Sequence, residues 1–195
     1  MDAMAKRLFD FIFAITGLVF TGWLIIIFYI AATISTGHSG IFKQLRIGRY
    51  GKMFTIFKLR SMKDTGGIKL ITPLGRFMRR YKIDELPQLI NILAGNMSFV
   101  GPRPDIPGYY DLLQGEDRKL LLLRPGLTGP ASLKYANEEE LLAASDDPEY
   151  LNDHIIFPDK VRINRAYQEN QSLWLDIKLI VYTALRRQPG EEFLQ

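Results

Sequence analysis

Cysteine is absent from this sequence of 195 residues, and histidine occurs only twice, at His38 and His154. The lack of cysteine excludes disulfide bonds and thiolate metal sites. The two histidines lie too far apart in the sequence to give a metal-ligand spacing. Any metal ion would therefore have to be a hard ion that is held by oxygen ligands.

Acidic residues are nearly missing between Lys43 and Lys82, where Asp64 is the single acid. The basic side chains of this block are those of Lys43, Arg46, Arg49, Lys52, Lys58, Arg60, Lys63, Lys69, Arg76, Arg79, Arg80 and Lys82. Such a block is typical of a surface that binds phosphates on nucleic acid, lipid headgroups or a small substrate. A solvated basic surface is the alternative interpretation.

Charged residues are also missing from residues 11–42, and residues 11–32 are almost wholly apolar. As a helix, the apolar part is long enough to cross a hydrocarbon core of roughly 30 Å. A secretory signal peptide is disfavoured because the apolar region is too long and residues 34–37 form a poor cleavage site. A helix that is apolar on all sides would need a larger protein to bury it. We therefore predict that this segment inserts into a membrane.

The path of this segment through the membrane stays open between two topologies. Lys6 and Arg7 precede it and Lys43 follows it, so basic flanks at both ends favour a re-entrant hairpin over a single span. Thr21-Gly22 is the only candidate for the necessary break, and glycine weakens a helix by only about 1 kcal/mol relative to alanine. Either topology leaves the larger, basic C-terminal part in the cytoplasm.

The remaining pattern predicts a mainly helical α+β protein, with a membrane-anchoring helix in residues 1–40 and a small cytosolic catalytic domain in residues 41–195. We expect this domain to contain a β-hairpin and helices that lie at the membrane interface. The predicted elements are a hairpin over 41–61, loops over 63–67 and 97–109, and helices over 74–81, 84–95, 138–144 and 172–187.

Asp84 and Glu85 are adjacent acids directly before Leu86-Pro87. The simplest interpretation is structural, because Asp84 could cap a helix and Glu85 would favour its first turn. A carboxylate at a helix N-terminus also stays ionised, which a nucleophile or a metal ligand requires. Two arginines stand beside constrained turns, Arg103 between prolines and Arg124 before Pro125-Gly126. Such arginines suit either a salt bridge or a diphosphate.

Five ordered motifs resemble the bacterial sugar transferase family, whose members are also called monotopic phosphoglycosyl transferases. The resemblance extends to Ser172-Leu173-Trp174-Leu175-Asp176-Ile177-Lys178 and suggests the minimal catalytic form of the family. The five motifs are Lys6-Arg7-Leu8-Phe9-Asp10, Phe57-Lys58-Leu59-Arg60-Ser61-Met62, Asp84-Glu85-Leu86-Pro87-Gln88-Leu89-Ile90-Asn91, Met97-Ser98-Phe99-Val100-Gly101-Pro102-Arg103-Pro104 and Arg124-Pro125-Gly126-Leu127-Thr128-Gly129.

The resemblance implies a covalent two-step reaction at the bacterial inner membrane, on its cytoplasmic face. Asp84 would attack the sugar-bearing phosphorus of a UDP-sugar and release UMP. Undecaprenyl phosphate would then take the sugar-phosphate, as the first membrane step of bacterial glycan assembly. Asp84 and Glu85 would hold Mg²⁺, and a homodimer is left open. The resemblance implies phosphate binding for Arg79, Arg103, Arg124 and Arg60.

Three departures from many relatives concern the anchor and the substrate loops. Thr21-Gly22 stands where Ser-Pro is common, and Thr128-Gly129-Pro130-Ala131-Ser132 replaces a common Trp-Ala-Gln sequence. Asn164 and Ala166 fall where relatives often have an acid, so no second metal ligand is assigned there.

Two competing hypotheses are a tethered lipid-binding module and a nucleic-acid binder, and the membrane segment disfavours the latter.

Overall fold

The structure, a computed structural model, describes residues 2–187 and Gly190. The helices are α1 (Ala3–Thr36), α2 (Pro73–Arg80), α3 (Gln88–Leu93), α4 (Pro130–Lys134), α5 (Glu138–Ala143), α6 (Pro148–Leu151), α7 (Phe157–Glu169) and α8 (Leu173–Ala184). The strands are β1 (Ile41–Ile47), β2 (Met53–Leu59), β3 (Met62–Thr65), β4 (Ile68–Ile71), β5 (Ser98–Val100) and β6 (Gly126–Thr128). The predicted mainly helical α+β class is therefore confirmed.

The described chain divides into two compact units. The first unit contains Arg7–Arg46 and Met53–Met97, and the second contains residues 2–6, Ile47–Lys52 and the described residues from Ser98 onwards. The boundary expected at residue 40 concerns location in the membrane and stays a prediction. The last residues of the expected 41–195 domain lie outside the described residues.

Helix α1 is continuous, and its helical backbone runs through Thr21 and Gly22. Its most apolar 18-residue window has a mean hydropathy of 2.5, and by length and composition it could cross a membrane. The Thr21 hydroxyl donates a hydrogen bond to the carbonyl oxygen of Gly17 at 2.7 Å. The break that a re-entrant path would use is thus not seen in α1, and the path through the membrane stays a prediction.

One side of α1 packs on the first unit and the other side remains apolar and exposed. A Cβ at Gly17 would lie 3.0 Å from Leu89 of α3, and the ring of Phe28 stacks on Phe77 of α2 at a centroid distance of 6.1 Å. Ala32 is fully buried in a small core that also contains Leu59 and Met78. The large exposed side chains of α1 include Val19, Phe20, Trp23, Ile26, Ile27, Ile30 and Ile34.

The first unit contains two hairpins, of which the sequence predicted one. Strands β1 and β2 form a two-stranded sheet, as predicted for residues 41–61. The loop predicted over 63–67 is wrong, because β3 pairs with β4 in antiparallel register, with Thr65 opposite Ile68. Gly66 and Gly67 both have positive φ, which suits a tight two-residue hairpin turn. The polar composition of β3 concealed this strand.

The core of the second unit forms around a parallel pair of short strands. Strand β5 pairs with β6, with Ser98 opposite Gly126, so the continuous loop predicted over 97–109 is partly wrong. Val100 packs with Leu133, Tyr167 and Leu179, which come from α4, α7 and α8. Helix α8 confirms the predicted helix over 172–187, and α5 confirms the acidic helix over 138–144.

The backbones of this unit cross closely at three glycines. A Cβ on Gly101 would lie 2.3 Å from the carbonyl oxygen of Arg124, and one on Gly126 would lie 2.2 Å from the nitrogen of Gly101. A Cβ on Gly129 would lie 2.3 Å from the carbonyl oxygen of Gly101. Because real side chains do not approach a backbone this closely, the crossing requires glycine at each position.

We expect Gly101→Ala to destabilise the protein by about 1–3 kcal/mol or more, because the added methyl group overpacks this crossing. Thermal unfolding in detergent, followed by circular dichroism, measures the effect. The control is Gly22→Ala in α1, where a Cβ would meet no atom within 4 Å and alanine is the better helix former. Equal unfolding temperatures for wild type and Gly101→Ala would contradict the tight crossing.

Candidate active site

Asp84 and Glu85 lie on a 3-10 turn (Ile83–Glu85) in the first unit, between α2 and α3. Lys82 precedes the turn with a φ of 57°, a left-handed conformation that turns the chain out of α2. Both acidic residues are 7% exposed. Neither caps α3, because its N-cap position is Pro87 and no side chain caps it. The capping interpretation of Asp84 is therefore wrong.

Ser61 forms hydrogen bonds with two residues of the α2 segment, the N-cap residue Thr72 and Arg79. Thr72 caps α2 by accepting from the nitrogen of Gly75 at 2.9 Å, and its own nitrogen donates to the carbonyl of Ser61 at 3.1 Å. A Cβ on Gly75 would lie 1.9 Å from that same carbonyl oxygen. The Arg79 guanidinium donates to the Ser61 hydroxyl at 3.1 Å. Glycine at position 75 thus lets α2 present Arg79 close to the acidic turn.

The electrostatic environment of Asp84 differs from the one predicted from sequence. Burial is the main cause that raises the pKa of the Asp84 carboxyl, and the neighbouring charge of Glu85 raises it further. The cations of Lys58, Lys82 and Arg79 lower the pKa in part. Desolvation outweighs the favourable charges, so the pKa of this carboxyl is raised and not lowered. That the carboxylate stays ionised, as a nucleophile or a metal ligand requires, stays a prediction.

Lys58 belongs to this site, although the sequence reasoning did not assign it a role. Its ammonium lies 3.5 Å from the Oε1 of Glu85, and both side chains are largely buried. Lys58 comes from β2, which packs against the turn that carries Asp84 and Glu85. The sequence feature that could have indicated a role for Lys58 is its position in the Phe57-Lys58-Leu59-Arg60-Ser61-Met62 motif.

The Oδ1 atom of Asp84 is buried and has no hydrogen-bond partner. A buried oxygen without a donor, next to a second carboxylate, is favourable for a cation. The described residues contain no cluster of three or more histidine, cysteine or acidic side chains that could hold a metal ion. Two carboxylates suit Mg²⁺, which typically takes one or two from the protein and completes its shell with water and substrate phosphates. Asp84 and Glu85 therefore fit the predicted metal.

Arg60, although it is also in the first unit, uses its guanidinium on the main chain. It donates to the carbonyl oxygen of Ser39 at 2.7 Å and to that of Ile41 at 3.4 Å. The guanidinium also lies over the ring of Phe42, 5.7 Å from its centroid. These contacts connect the end of α1 to β1. Phosphate binding by Arg60 stays a prediction.

Arg103 and Arg124 lie in the second unit, where the β5–β6 pair brings their chain segments together. The nitrogen of Gly126 donates to the carbonyl of Pro102 at 2.8 Å, and the carbonyl oxygen of Arg124 lies at the Gly101 crossing. Phosphate binding by Arg103 and Arg124 also stays a prediction.

Asn164 is 1% exposed and donates to the Tyr110 hydroxyl at 2.9 Å.

Comparison with known proteins gives a match over nearly the whole chain. A family model described as "Bacterial sugar transferase" matches residues 1–187. The chain is 33% identical to the "Uncharacterized sugar transferase EpsL" of Bacillus subtilis, over 91% of this chain and 84% of that protein. It is 33% identical to a "UDP-glucose:undecaprenyl-phosphate glucose-1-phosphate transferase" of Xanthomonas campestris, over 94% of this chain and 38% of that protein.

A third relative is the "Undecaprenyl-phosphate galactose phosphotransferase" of Salmonella typhimurium, which is 30% identical over 92% of this chain and 39% of that protein. The chain thus spans most of the length of EpsL but about two fifths of these two longer relatives. The names of the Xanthomonas and Salmonella proteins specify glucose and galactose, respectively, and the name of EpsL specifies no sugar.

Proposed function

Because the chain belongs to the bacterial sugar transferase family, and is therefore a transferase, we propose that it moves a sugar-1-phosphate from a UDP-sugar to undecaprenyl phosphate. The products would be undecaprenyl-diphosphate-sugar and UMP. The name of the Xanthomonas relative describes a glucose-1-phosphate transfer between UDP-glucose and undecaprenyl phosphate, and the name of the Salmonella relative describes an undecaprenyl-phosphate galactose phosphotransferase. For this chain the identity of the sugar stays open.

The observation that carries the proposal is the acidic turn with its unpartnered oxygen. Asp84 and Glu85 are held between two helices that both contact α1, through Phe77 on α2 and Leu89 on α3. The contact points on α1 are separated by 11 residues, or about 16 Å of helix. A reactive carboxylate beside an apolar helix is well placed for a lipid-linked phosphate and a soluble nucleotide.

In the first step, an oxygen of the Asp84 carboxylate forms a bond to the sugar-bearing phosphorus of the donor. The bond between this phosphorus and the bridging oxygen breaks, and UMP leaves with the electron pair. In the second step, a phosphate oxygen of undecaprenyl phosphate attacks the same phosphorus and the aspartyl bond breaks. The Asp84 carboxylate is regenerated, so the two steps balance.

The side chains around Asp84 support this chemistry. Burial raises the pKa of the Asp84 carboxyl and makes the ionised form more basic, while Lys58, Lys82 and Arg79 keep that form accessible. Arg79 is held by Ser61 next to the turn and would bind a donor phosphate. Mg²⁺ held by Asp84 and Glu85 would neutralise charge on the diphosphate when bound.

The same proposal places the protein at the bacterial inner membrane, with α1 as the anchor. The exposed apolar side of α1 is suited to lipid, and the basic residues that flank it favour the cytoplasmic side for the catalytic part. This location would make the reaction the first membrane step in the assembly of a polysaccharide or glycoconjugate. The homodimer stays a prediction.

The experiment is nucleotide release by the detergent-solubilised protein, supplied with Mg²⁺, undecaprenyl phosphate and a panel of UDP-sugars. We expect UMP with one donor or a few donors, and loss of UMP when EDTA removes the metal. Release of UDP in place of UMP would indicate glycosyl transfer and contradict the proposal. Folded protein that releases no nucleotide, but binds anionic vesicles in a salt-dependent way, would favour the tethered lipid-binding module.

A further inference from the structure

Asn91 of α3 is 1% exposed and its side-chain amide binds the backbone of β2 at two points. Its Nδ2 donates to the carbonyl oxygen of Thr55 at 2.7 Å. Its Oδ1 accepts from the nitrogen of Phe57 at 3.1 Å. The amide therefore satisfies a carbonyl and an N–H that lie two residues apart on one edge of the strand.

This edge of β2 has no strand beside it, because β1 and β2 form a two-stranded sheet within the described residues. A neighbouring strand would normally satisfy the N–H and C=O groups of such an edge. The Asn91 amide replaces one pair of the backbone hydrogen bonds that such a neighbouring strand would form. One contact requires a carbonyl group and the other requires an N–H group at a fixed spacing along the strand. Together they therefore fix the distance between β2 and α3 and the register of β2 along α3.

The register of β2 determines where Lys58 lies. Lys58 follows Phe57 directly and shares a face of the strand with Ile56, which is 2% exposed. On this face the Lys58 ammonium reaches Oε1 of Glu85 at 3.5 Å. Glu85 lies six residues before Asn91 on the helical segment that carries the clamp. The clamp thus joins the strand that carries the cation to the segment that carries the anions.

We infer that Asn91 is a positioning residue for the reaction, and that it acts by holding Lys58 against the Asp84–Glu85 turn. The inference rests on the proposed function, since Lys58 is the cation that contacts Glu85 of the acidic turn, at 3.5 Å. Without the clamp, β2 can shift along α3 while the sheet itself persists. A displacement of about 1 Å in a catalytic group can lower a rate by about a hundredfold.

The test is a double-mutant cycle on UMP release by the full-length protein, with Asn91→Ala and Lys58→Ala. We expect Asn91→Ala to lower kcat by roughly 10- to 100-fold, with a much smaller change in the KM of the donor. In the Lys58→Ala background the same change is expected to lower kcat by less than about threefold, because the group that Asn91 positions is already absent. The matched control is Asn170→Ala, at the exposed end of α7.

A second measurement needs no turnover, since the acetylation rate of Lys58 by a small activated ester can be followed by peptide mass spectrometry. We expect this rate to rise in Asn91→Ala relative to the other lysines, because Lys58 is released from Glu85. Asn91→Ser keeps a buried polar atom and replaces the alanine variant if the latter unfolds. Unfolding of both variants would overturn the local role and assign Asn91 to global stability.

Equal losses of kcat in both backgrounds, or an unchanged acetylation rate of Lys58, would overturn the inference alone. A wild-type protein that releases no UMP would overturn the proposed function, and this inference with it. Loss of activity in Asn170→Ala that matches the loss in Asn91→Ala would also contradict a specific role for the clamp.

Discussion

Asp84→Asn is expected to lower UMP release by roughly a thousandfold or more, while raising the unfolding temperature of the protein. The substitution keeps the shape of the side chain and removes both its charge and its nucleophilic carboxylate. A residue that serves only the fold would lose stability together with activity. A lower rate of UMP release together with a higher unfolding temperature would therefore identify Asp84 as a catalytic group whose charge destabilises the folded protein.

The expected rise in stability follows from the direction of the pKa shift. Burial, and then Glu85, raise the pKa of Asp84 above its ordinary value, so the folded state binds a proton at this position more tightly than the unfolded state does. Stability from this group is present at low pH and declines as the pH rises above the unfolded pKa. At neutral pH the uncharged amide of the Asp84→Asn variant removes this loss.

The control for this prediction is Asp146→Asn, an exposed aspartate of the second unit. We expect it to leave both the rate of UMP release and the unfolding temperature unchanged. Both quantities are measured on the same detergent-solubilised preparations. Wild-type rates in Asp84→Asn would rule out the proposed nucleophile, and a lower unfolding temperature in that variant would contradict the electrostatic account of the turn.

Asp176→Ala is expected to destabilise the protein by about 3–5 kcal/mol, because it leaves a largely buried ammonium without its partner. Asp176 of α8 is fully buried, and it forms an ion pair with Lys6 at the start of α1. Its other oxygen accepts from the Tyr167 hydroxyl at 2.6 Å, and Gln171 donates to the same hydroxyl at 3.0 Å. These residues all belong to the second unit.

The measurement is thermal unfolding in detergent, with the double variant Lys6→Met and Asp176→Leu as the comparison. Replacing a buried ion pair by apolar side chains of similar volume is often neutral or stabilising. We therefore expect the double variant to recover most of the stability that Asp176→Ala loses. An unfolding temperature of Asp176→Ala within about 2 °C of the wild-type value would contradict the account of this cluster.

The elements that the sequence predicted are those with a strong local pattern. The apolar run predicted α1, the β-prone residues on either side of a glycine-containing turn predicted β1 and β2, and the spacing of apolar residues predicted α8. Strand β3 was missed because its residues are polar, and the tight turn at Gly66 and Gly67, both with positive φ, connects it to β4. The pairing of β5 with β6 joins segments about 28 residues apart, which no local pattern reveals.

Helix α7 was also missed, although it spans 13 residues. Its sequence is rich in polar and charged residues, and Pro158 near its start is tolerated only because it lies in the first turn. The buried side chains of α7 include Val161, Ile163 and Tyr167, so its apolar side is narrow. The tertiary environment therefore stabilises a helix that local periodicity indicates only weakly.

The candidate site could be located from sequence, but its electrostatics could not. The adjacent acids of the Asp84–Glu85 motif were identified by their order among the family motifs. The burial that raises the pKa of Asp84 depends on β2, α2 and the turn packing together. The contribution of Lys58 depends on the register of β2, which Asn91 fixes from another part of the chain. Such long-range contacts are not encoded in the local pattern.

The most direct test of the central claim is the intact mass of the protein after incubation with Mg²⁺ and its UDP-sugar donor, in the absence of undecaprenyl phosphate. We predict a mass increase of one sugar-phosphate, located on the peptide that contains Asp84. This increase should disappear when undecaprenyl phosphate is added, and it should be absent in Asp84→Asn. An unmodified mass, in a preparation that turns over fully once the lipid is supplied, would contradict the covalent mechanism and indicate direct transfer between the two substrates.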